Sequence, residues 1–214
     1  LVMSVFPKML LVEKVYLEIK KLILSGDYLP GRRLVEAELT RKFNVSRVTL
    51  REALRRLIAD DLVVLIPNKG IHVRELTYKE KEDIYTVRER VESLAAWLAA
   101  QVPENRLNNL KRICLEGAAA VSKKDRKGHR TLNNLFHLEV ALVTENEALI
   151  KIIERLSTQI IGNQHIALMS DLDLDISQRS HEAILQAILK RDSDKAESLM
   201  REHIRTGRKF ILSS

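Results

Sequence analysis

The segment from Asn44 to Leu57 constrains the fold of this chain more than any other part of its sequence. Leu50, Leu54 and Leu57 recur at the spacing of one helix face, and Ile58 extends the same stripe. This pattern predicts an amphipathic helix that packs its leucines into a core.

Arginines occupy another face of this predicted helix. Arg47, Arg51 and Arg55 recur every four residues, and Ser46 stands where its side-chain oxygen can accept a backbone N–H at the helix N-terminus. A second apolar helix, from about 35 to 43, precedes it across a short turn. This arrangement is typical of a helix-turn-helix that contacts DNA, although an arginine face alone is also common on solvated helices.

A short hairpin follows the two helices. Residues 62–66 form a β-like run, residues 67–70 give a turn signal, and residues 71–73 can return as the partner strand. Such a hairpin is the wing of a winged helix, with Lys69 and Gly70 at its tip. Lysine there can meet a DNA phosphate, and glycine lets the backbone come close. The helix cap and the wing together favour DNA binding over a solvated arginine face.

The same residues resemble the DNA-binding domain of the GntR transcription regulators. The resemblance rests on Leu34, Glu36, Glu38, Leu39, Val45, Ser46, Arg47, Thr49, Leu50, Arg51, Glu52, Ala53, Leu54, Leu57, Leu62, Asn68 and Gly70. It implies a homodimer that binds a two-fold operator in double-stranded DNA. Ala37 stands where some members carry an arginine that touches DNA, so that contact is not carried over. The residues expected to contact DNA are Ser46, Arg47, Thr49, Arg51, Lys69 and Gly70.

Charge is distributed unevenly along the chain. Residues 1–76 carry 14 Lys and Arg against nine Asp and Glu, whereas residues 77–214 carry 22 against 20, within a net charge of +7. The positive excess therefore lies in the predicted DNA-binding part, as phosphate recognition favours. The single cysteine, Cys114, excludes an intrachain disulfide, and no apolar run reaches the ~18–20 residues of a membrane helix. We expect a cytoplasmic protein with no membrane partner.

The rest of the chain is predicted to be helical. Thr77 and Glu80 form a capping box that begins a new helix and separates a domain at 1–76 from a domain at 77–214. The predicted helices span 78–101, 104–123, 127–144, 146–169, 175–190 and 193–211, with Asp192 as the cap of the last. The fold class is therefore mainly α, an N-terminal winged helix-turn-helix followed by an all-α antiparallel helical bundle.

Three histidines of this bundle are expected to face inward. His137 shares a helix face with Asn133 four residues earlier, and apolar positions flank His181 and His203 at spacings of three and four. Each is explained either as an ordinary, partly buried histidine or as one ligand of a shared metal site, since bundles build such sites from facing helices. Spacing alone leaves both readings open.

The second half also resembles the FCD ligand-binding domain, which defines the FadR subfamily of GntR regulators; six helices are closest to the VanR-type subgroup. The resemblance rests on Asn133, Phe136, His137, Glu145, Asn146, Glu147, Leu149, His181, Ile184, Ala187, Ile188, Met200 and His203. It implies a divalent metal bound by Asn133, His137, His181 and His203, with zinc or nickel favoured, and a small carboxylate effector. Aspartate is the commoner ligand at position 133, and Arg88 matches an arginine that would pair with the effector or form an exposed salt bridge.

Two other functions are compatible with parts of this pattern. A regulator that responds to the metal alone is the close alternative. A metal-dependent hydrolase fused to a DNA-binding domain is a remote one, because the sequence shows no His-Glu-x-x-His pattern and no candidate base beside the site. His129 is expected to be exposed among its cationic neighbours, and His165 to lie in a helix without an assigned role.

Overall fold

The computed structural model describes residues 7–160 and 170–212. They form two compact units, which divide after Glu75. The predicted fold class is confirmed, since a winged helix-turn-helix is followed by a helical bundle. Within the described ranges, no helix combines the length and the apolar character needed to cross a bilayer.

The first unit is built on three helices, α1 (Pro7–Leu24), α2 (Glu36–Phe43) and α3 (Arg47–Ala59). Asn44 adopts a left-handed conformation at φ 50° and ends α2, which produces the tight turn. Ser46 then caps α3 by accepting the backbone N–H of Thr49 at 3.2 Å, as predicted. The leucine stripe of α3 lies in the core, because Leu50, Leu54 and Leu57 are 0%, 1% and 0% exposed.

Three short strands complete this unit: β1 (Arg33–Leu34), β2 (Val63–Ile66) and β3 (Gly70–Val73). Their order is β1-β3-β2, and both pairings are antiparallel. The predicted wing is therefore present as the β2–β3 hairpin, in which Ile66 pairs with Gly70. Gly70 has φ +90°, a conformation that side chains disfavour. Strand β1 was not predicted, because two residues are too few to show an alternating pattern.

The described residues of the second unit are mainly helical. Its elements are α4 (Tyr78–Ala99), a 3-10 turn (Glu104–Leu107), α5 (Asn108–Ser122), α6 (Arg126–Leu142), α7 (Glu147–Gln159), α8 (Asp171–Leu189) and α9 (Ser193–Leu212). Helix α9 packs along α4, and α5 packs against α6 and α8. Phe136, Ile153, Ile184 and Met200 belong to the core that these helices enclose.

Helix ends follow the capping residues of the sequence, with one correction. The predicted capping box of Thr77 and Glu80 is present, and the Asp192 carboxylate accepts the backbone N–H of Lys195 at 3.0 Å. Helix α8 begins at Asp171, four residues before the predicted start at 175, because Ser170 and Asp173 form a second capping box. The predicted helix 146–169 is observed as α7 up to Gln159, and residues 161–169 lie outside the described residues.

Candidate functional site

Three of the four predicted metal ligands converge inside the second unit. His137 comes from α6, His181 from α8 and His203 from α9. The Nε2 atom of His203 lies 3.1 Å from that of His181 and 3.2 Å from that of His137. The three potential ligand atoms all lie within 4.8 Å of one another. The three histidines predicted to face inward are therefore neighbours in one cluster, which we call the histidine cluster.

Burial keeps two of these rings neutral. Burial and, after it, the neighbouring His137 lower the pKa of His203 to about 3. Burial also lowers the pKa of His181 well below its ordinary value, and the His203 and His137 rings add to this effect. A neutral imidazole carries one N–H and one lone pair, so nitrogens this close offer lone pairs to a cation.

Packing and a buried carboxylate orient two of the rings. His181 stacks on Phe136, with ring centroids 4.1 Å apart and an angle of 21° between the planes. Glu92 of α4 places its Oε2 atom 2.7 Å from Nδ1 of His137. This distance is that of a charge-assisted pair. A carboxylate at Nδ1 favours the tautomer whose Nε2 lone pair points at the cluster.

Glu92 was missed in the sequence, although a signal was available. It follows Arg88 by four residues on α4, which places both on one helix face, and the two form an ion pair. Burial would raise the pKa of Glu92, but Arg88 and then His137 hold it at about 2. A carboxylate therefore lies beside the site, although none was predicted there. At neutral pH this carboxylate is a fixed anion and does not accept a proton.

Arg88 is buried, which corrects the alternative of an exposed salt bridge. Its side chain is 10% exposed, and that of Glu92 is 2% exposed. The guanidinium lies 5.0 Å from the ring centroid of Tyr85. Arg88 also lines the cavity beside the histidine cluster. Its pairing with an effector carboxylate stays a prediction.

This cavity, which we name the effector cavity after the ligand predicted for it, holds about 740 Å³ of empty space, part of it open to solvent. Asn133, His137 and His203 line it together, so the fourth predicted ligand faces the same space as two of the histidines. Arg88 is the only charged residue of the described lining. The lining also includes neutral amides and hydroxyls, namely those of Tyr85, Asn134, Ser157, Ser177, Ser180 and Thr206.

His129 is buried, contrary to the prediction that it would be exposed. It is 2% exposed and lines the effector cavity from the start of α6. The prediction gave too much weight to the cationic residues next to it in sequence. Its spacing of four from Asn133 and eight from His137 was the better signal, since these positions share the inward face of α6. His165 lies outside the described residues.

The residues predicted to contact DNA are mostly exposed on the first unit. Arg47 and Lys69 are exposed, and Arg51 is exposed while its Nε donates to the Glu36 carboxylate at 3.1 Å. Thr49 differs, because it is buried and its hydroxyl lies 2.9 Å from that of Ser46. Thr49 therefore supports the helix cap in this structure, and its side chain does not face outward as expected.

Two family models match the two units of the chain. Residues 11–73 match the bacterial regulatory proteins of the gntR family, and residues 83–206 match the FCD domain. The HTH-type transcriptional regulator YdhC of Bacillus subtilis is 28% identical over 191 residues, which cover 88% of this chain and 85% of YdhC. The HTH-type transcriptional repressor RspR of Escherichia coli is 23% identical over 193 residues, with coverages of 90% and 85%.

Solved structures show the same fold. The structure of E. coli McbR/YncC superposes with a TM-score of 0.84 at 22% identity, covering 95% of this chain and 97% of that one. Because the family models and the relatives describe transcription regulators, this chain is a DNA-binding transcription regulator and not an enzyme. It belongs to the gntR family of bacterial regulatory proteins and carries an FCD domain as its second unit.

Proposed function

We propose that the second unit binds a divalent metal ion through Asn133, His137, His181 and His203. The observation that carries this proposal is the convergence of three Nε2 atoms at 3.1 and 3.2 Å. Two ligands of one ion lie roughly 3.0–3.4 Å apart when metal–nitrogen bonds are about 2.1 Å. Imidazole and amide oxygen donors suit zinc or nickel, so the residues present fit such an ion.

The effector would be a small carboxylate that binds beside the histidine cluster. The four proposed ligands are neutral, so a bound ion would keep its positive charge and attract an anion. Arg88 adds a cation to the wall of the effector cavity, although Glu92 already pairs with it. A cavity with polar walls next to the cluster favours an effector over a response to the metal alone.

Binding of the effector would change operator binding through the homodimer. Val87 and Leu94 lie seven residues apart on α4, and both are apolar and about half exposed. This face of α4 is suited to contact a second copy of the chain. Helix α4 also carries Arg88 and Glu92, so an effector that repositions this pair would act on the same helix.

A calorimetric titration with zinc and nickel tests the metal proposal, and Asn133→Asp sharpens it. We expect one ion per chain, and tighter binding in Asn133→Asp because the new carboxylate adds a negative charge beside the ion. Asn134→Asp is the matched control, since it adds the same charge to the cavity wall one residue away. Equal or weaker affinity in Asn133→Asp would remove Asn133 from the site and leave three histidines.

The DNA proposal predicts different effects for arginine and lysine. If Arg51 contacts a guanine, Arg51→Ala should weaken operator binding by about 1–3 kcal/mol and relax specificity at one base pair. Lys69→Ala should weaken binding to all DNA sequences alike. It should also reduce the slope of log affinity against log salt concentration by about one, the share of one phosphate contact. Fluorescence anisotropy with a selected operator and scrambled DNA, over a range of salt, separates the two. Unchanged affinity in both Arg47→Ala and Arg51→Ala would rule out this docking.

A further inference from the structure

His129 lines the effector cavity from the first turn of α6, before the two proposed ligands of that helix. It stands on α6 four residues before Asn133 and eight before His137. At 1.5 Å per residue, these steps correspond to about 6 Å and about 12 Å along the helix axis. A ligand that begins at Asn133 and extends about one helical turn would therefore reach His129.

The imidazole of His129 is a polar group in a buried position. Among the described residues, neither Nδ1 nor Nε2 has a hydrogen-bond partner, and the residue is 2% exposed. Buried polar side chains are nearly always hydrogen-bonded, so one that faces a cavity without a partner points to a group bound there. No other described polar group of the cavity wall makes a hydrogen bond with this imidazole.

The surroundings of His129 indicate which group it would bind. Burial lowers its pKa, so the ring is neutral and offers one N–H and one lone pair. Lys124 and Arg126 line a neighbouring cavity with His129, but both contact the Asp171 carboxylate, at 4.0 and 2.5 Å. A second carboxylate on the ligand would lose its hydration here without gaining a free cation. A hydroxyl group can accept a hydrogen bond from the ring N–H or donate one to the ring lone pair, so it is a suitable partner for this neutral imidazole.

We propose that His129 hydrogen-bonds a hydroxyl group of the effector, which is therefore a hydroxylated carboxylic acid. Its carboxylate would lie toward Asn133 and the histidine cluster, and a hydroxyl about one helical turn away would meet His129. The neutral amides and hydroxyls of the cavity wall suit further hydroxyls of the same molecule. This inference rests on the effector site proposed above.

The first test uses the protein without ligand. Replacing His129 by leucine removes two unpaired polar atoms, so His129→Leu should raise Tm by about 2–6 °C. His129→Gln keeps a donor and an acceptor and should leave Tm near that of the wild type. A lower Tm or an unfolded His129→Leu protein beside a folded His129→Gln would assign His129 a structural role and overturn the proposal.

The second test compares gluconate with hexanoate, two six-carbon acids that differ in their hydroxyls. We expect the zinc-loaded wild type to bind gluconate at least tenfold more tightly, and His129→Leu to lose about tenfold for gluconate only. The same affinity for both acids in the wild type, no binding of gluconate, or an unchanged gluconate affinity in His129→Leu would each overturn the proposal. The last result would leave water as the only partner of His129.

Zinc binding separates this inference from the metal proposal. His129→Leu should bind zinc alone as tightly as the wild type, and a loss of zinc would show that His129 supports the histidine cluster instead. Failure of the wild type itself to bind zinc would overturn the metal proposal. The gluconate comparison would then be repeated with metal-free protein, in which loss of gluconate binding in His129→Leu still supports the role of His129 and unchanged binding overturns it.

Discussion

Replacing His203 with alanine should lower zinc affinity more than about 100-fold, because ligand loss exceeds the 10–100-fold effect typical of a residue behind a ligand. His203 is the ring that approaches both others, at 3.1 and 3.2 Å. The chain should stay folded, since the close polar contacts of this ring are with the other two imidazoles of the cluster. Calorimetric titration with zinc and circular dichroism of the same samples measure both effects.

A histidine outside the cluster provides the matched control for this loss. His72 lies in β3 of the first unit, where Nδ1 is 3.2 Å from the carbonyl oxygen of Gly70. His72→Ala removes one imidazole from the chain and should leave zinc affinity unchanged. If His203→Ala still binds zinc as the wild type does, the histidine cluster is a packing arrangement and the metal proposal is wrong.

Replacing Glu92 with alanine should reduce the free energy of unfolding by about 3–5 kcal/mol, since it leaves Arg88 buried and unpaired. Both side chains of this pair are almost excluded from solvent, at 10% and 2% exposure. Loss of the carboxylate also removes the close contact of 2.7 Å with His137 Nδ1. Urea denaturation of the metal-free protein measures the change without a contribution from a bound ion.

The same helix offers a matched control for this buried pair. Lys79 and Asp83 are also four residues apart on α4, but their side chains are 74% and 60% exposed. Asp83→Ala should scarcely change the urea midpoint, because exposed pairs contribute little. The double variant Arg88→Met with Glu92→Leu should recover most of the stability lost in Glu92→Ala. Equal effects of Glu92→Ala and Asp83→Ala would mean that the buried pair is not desolvated in solution.

Periodic features could be predicted from the sequence because they repeat. The leucines of α3, the cap at Ser46 and the wing hairpin each follow a local rule, and all three are present. Strand β1 has only two residues, and its pairing with β3 is a tertiary contact that no local pattern shows. The start of α8 was missed because the acidic residues after Ser170 were interpreted as a break instead of a first turn.

Part of the candidate site could be predicted from the sequence, and part of it depends on tertiary packing. Spacing placed His137, His181 and His203 on inward faces, and the resemblance joined them into one site. Glu92 is on a helix that carries none of these histidines, so only the packing of α4 against α6 brings it to His137. His129 was assigned by the charges next to it in sequence, whereas its position on the helix face decides its burial.

The contact between Arg51 and Glu36 has a consequence for discrimination between DNA sequences. In the absence of DNA the guanidinium already has a carboxylate partner at 3.1 Å. Contact with a guanine would therefore be an exchange of partners, and a wrong base would offer nothing in return for the lost carboxylate. Glu36 would thus penalise non-specific complexes more than the specific one, and would shorten the time spent on sequences without the operator.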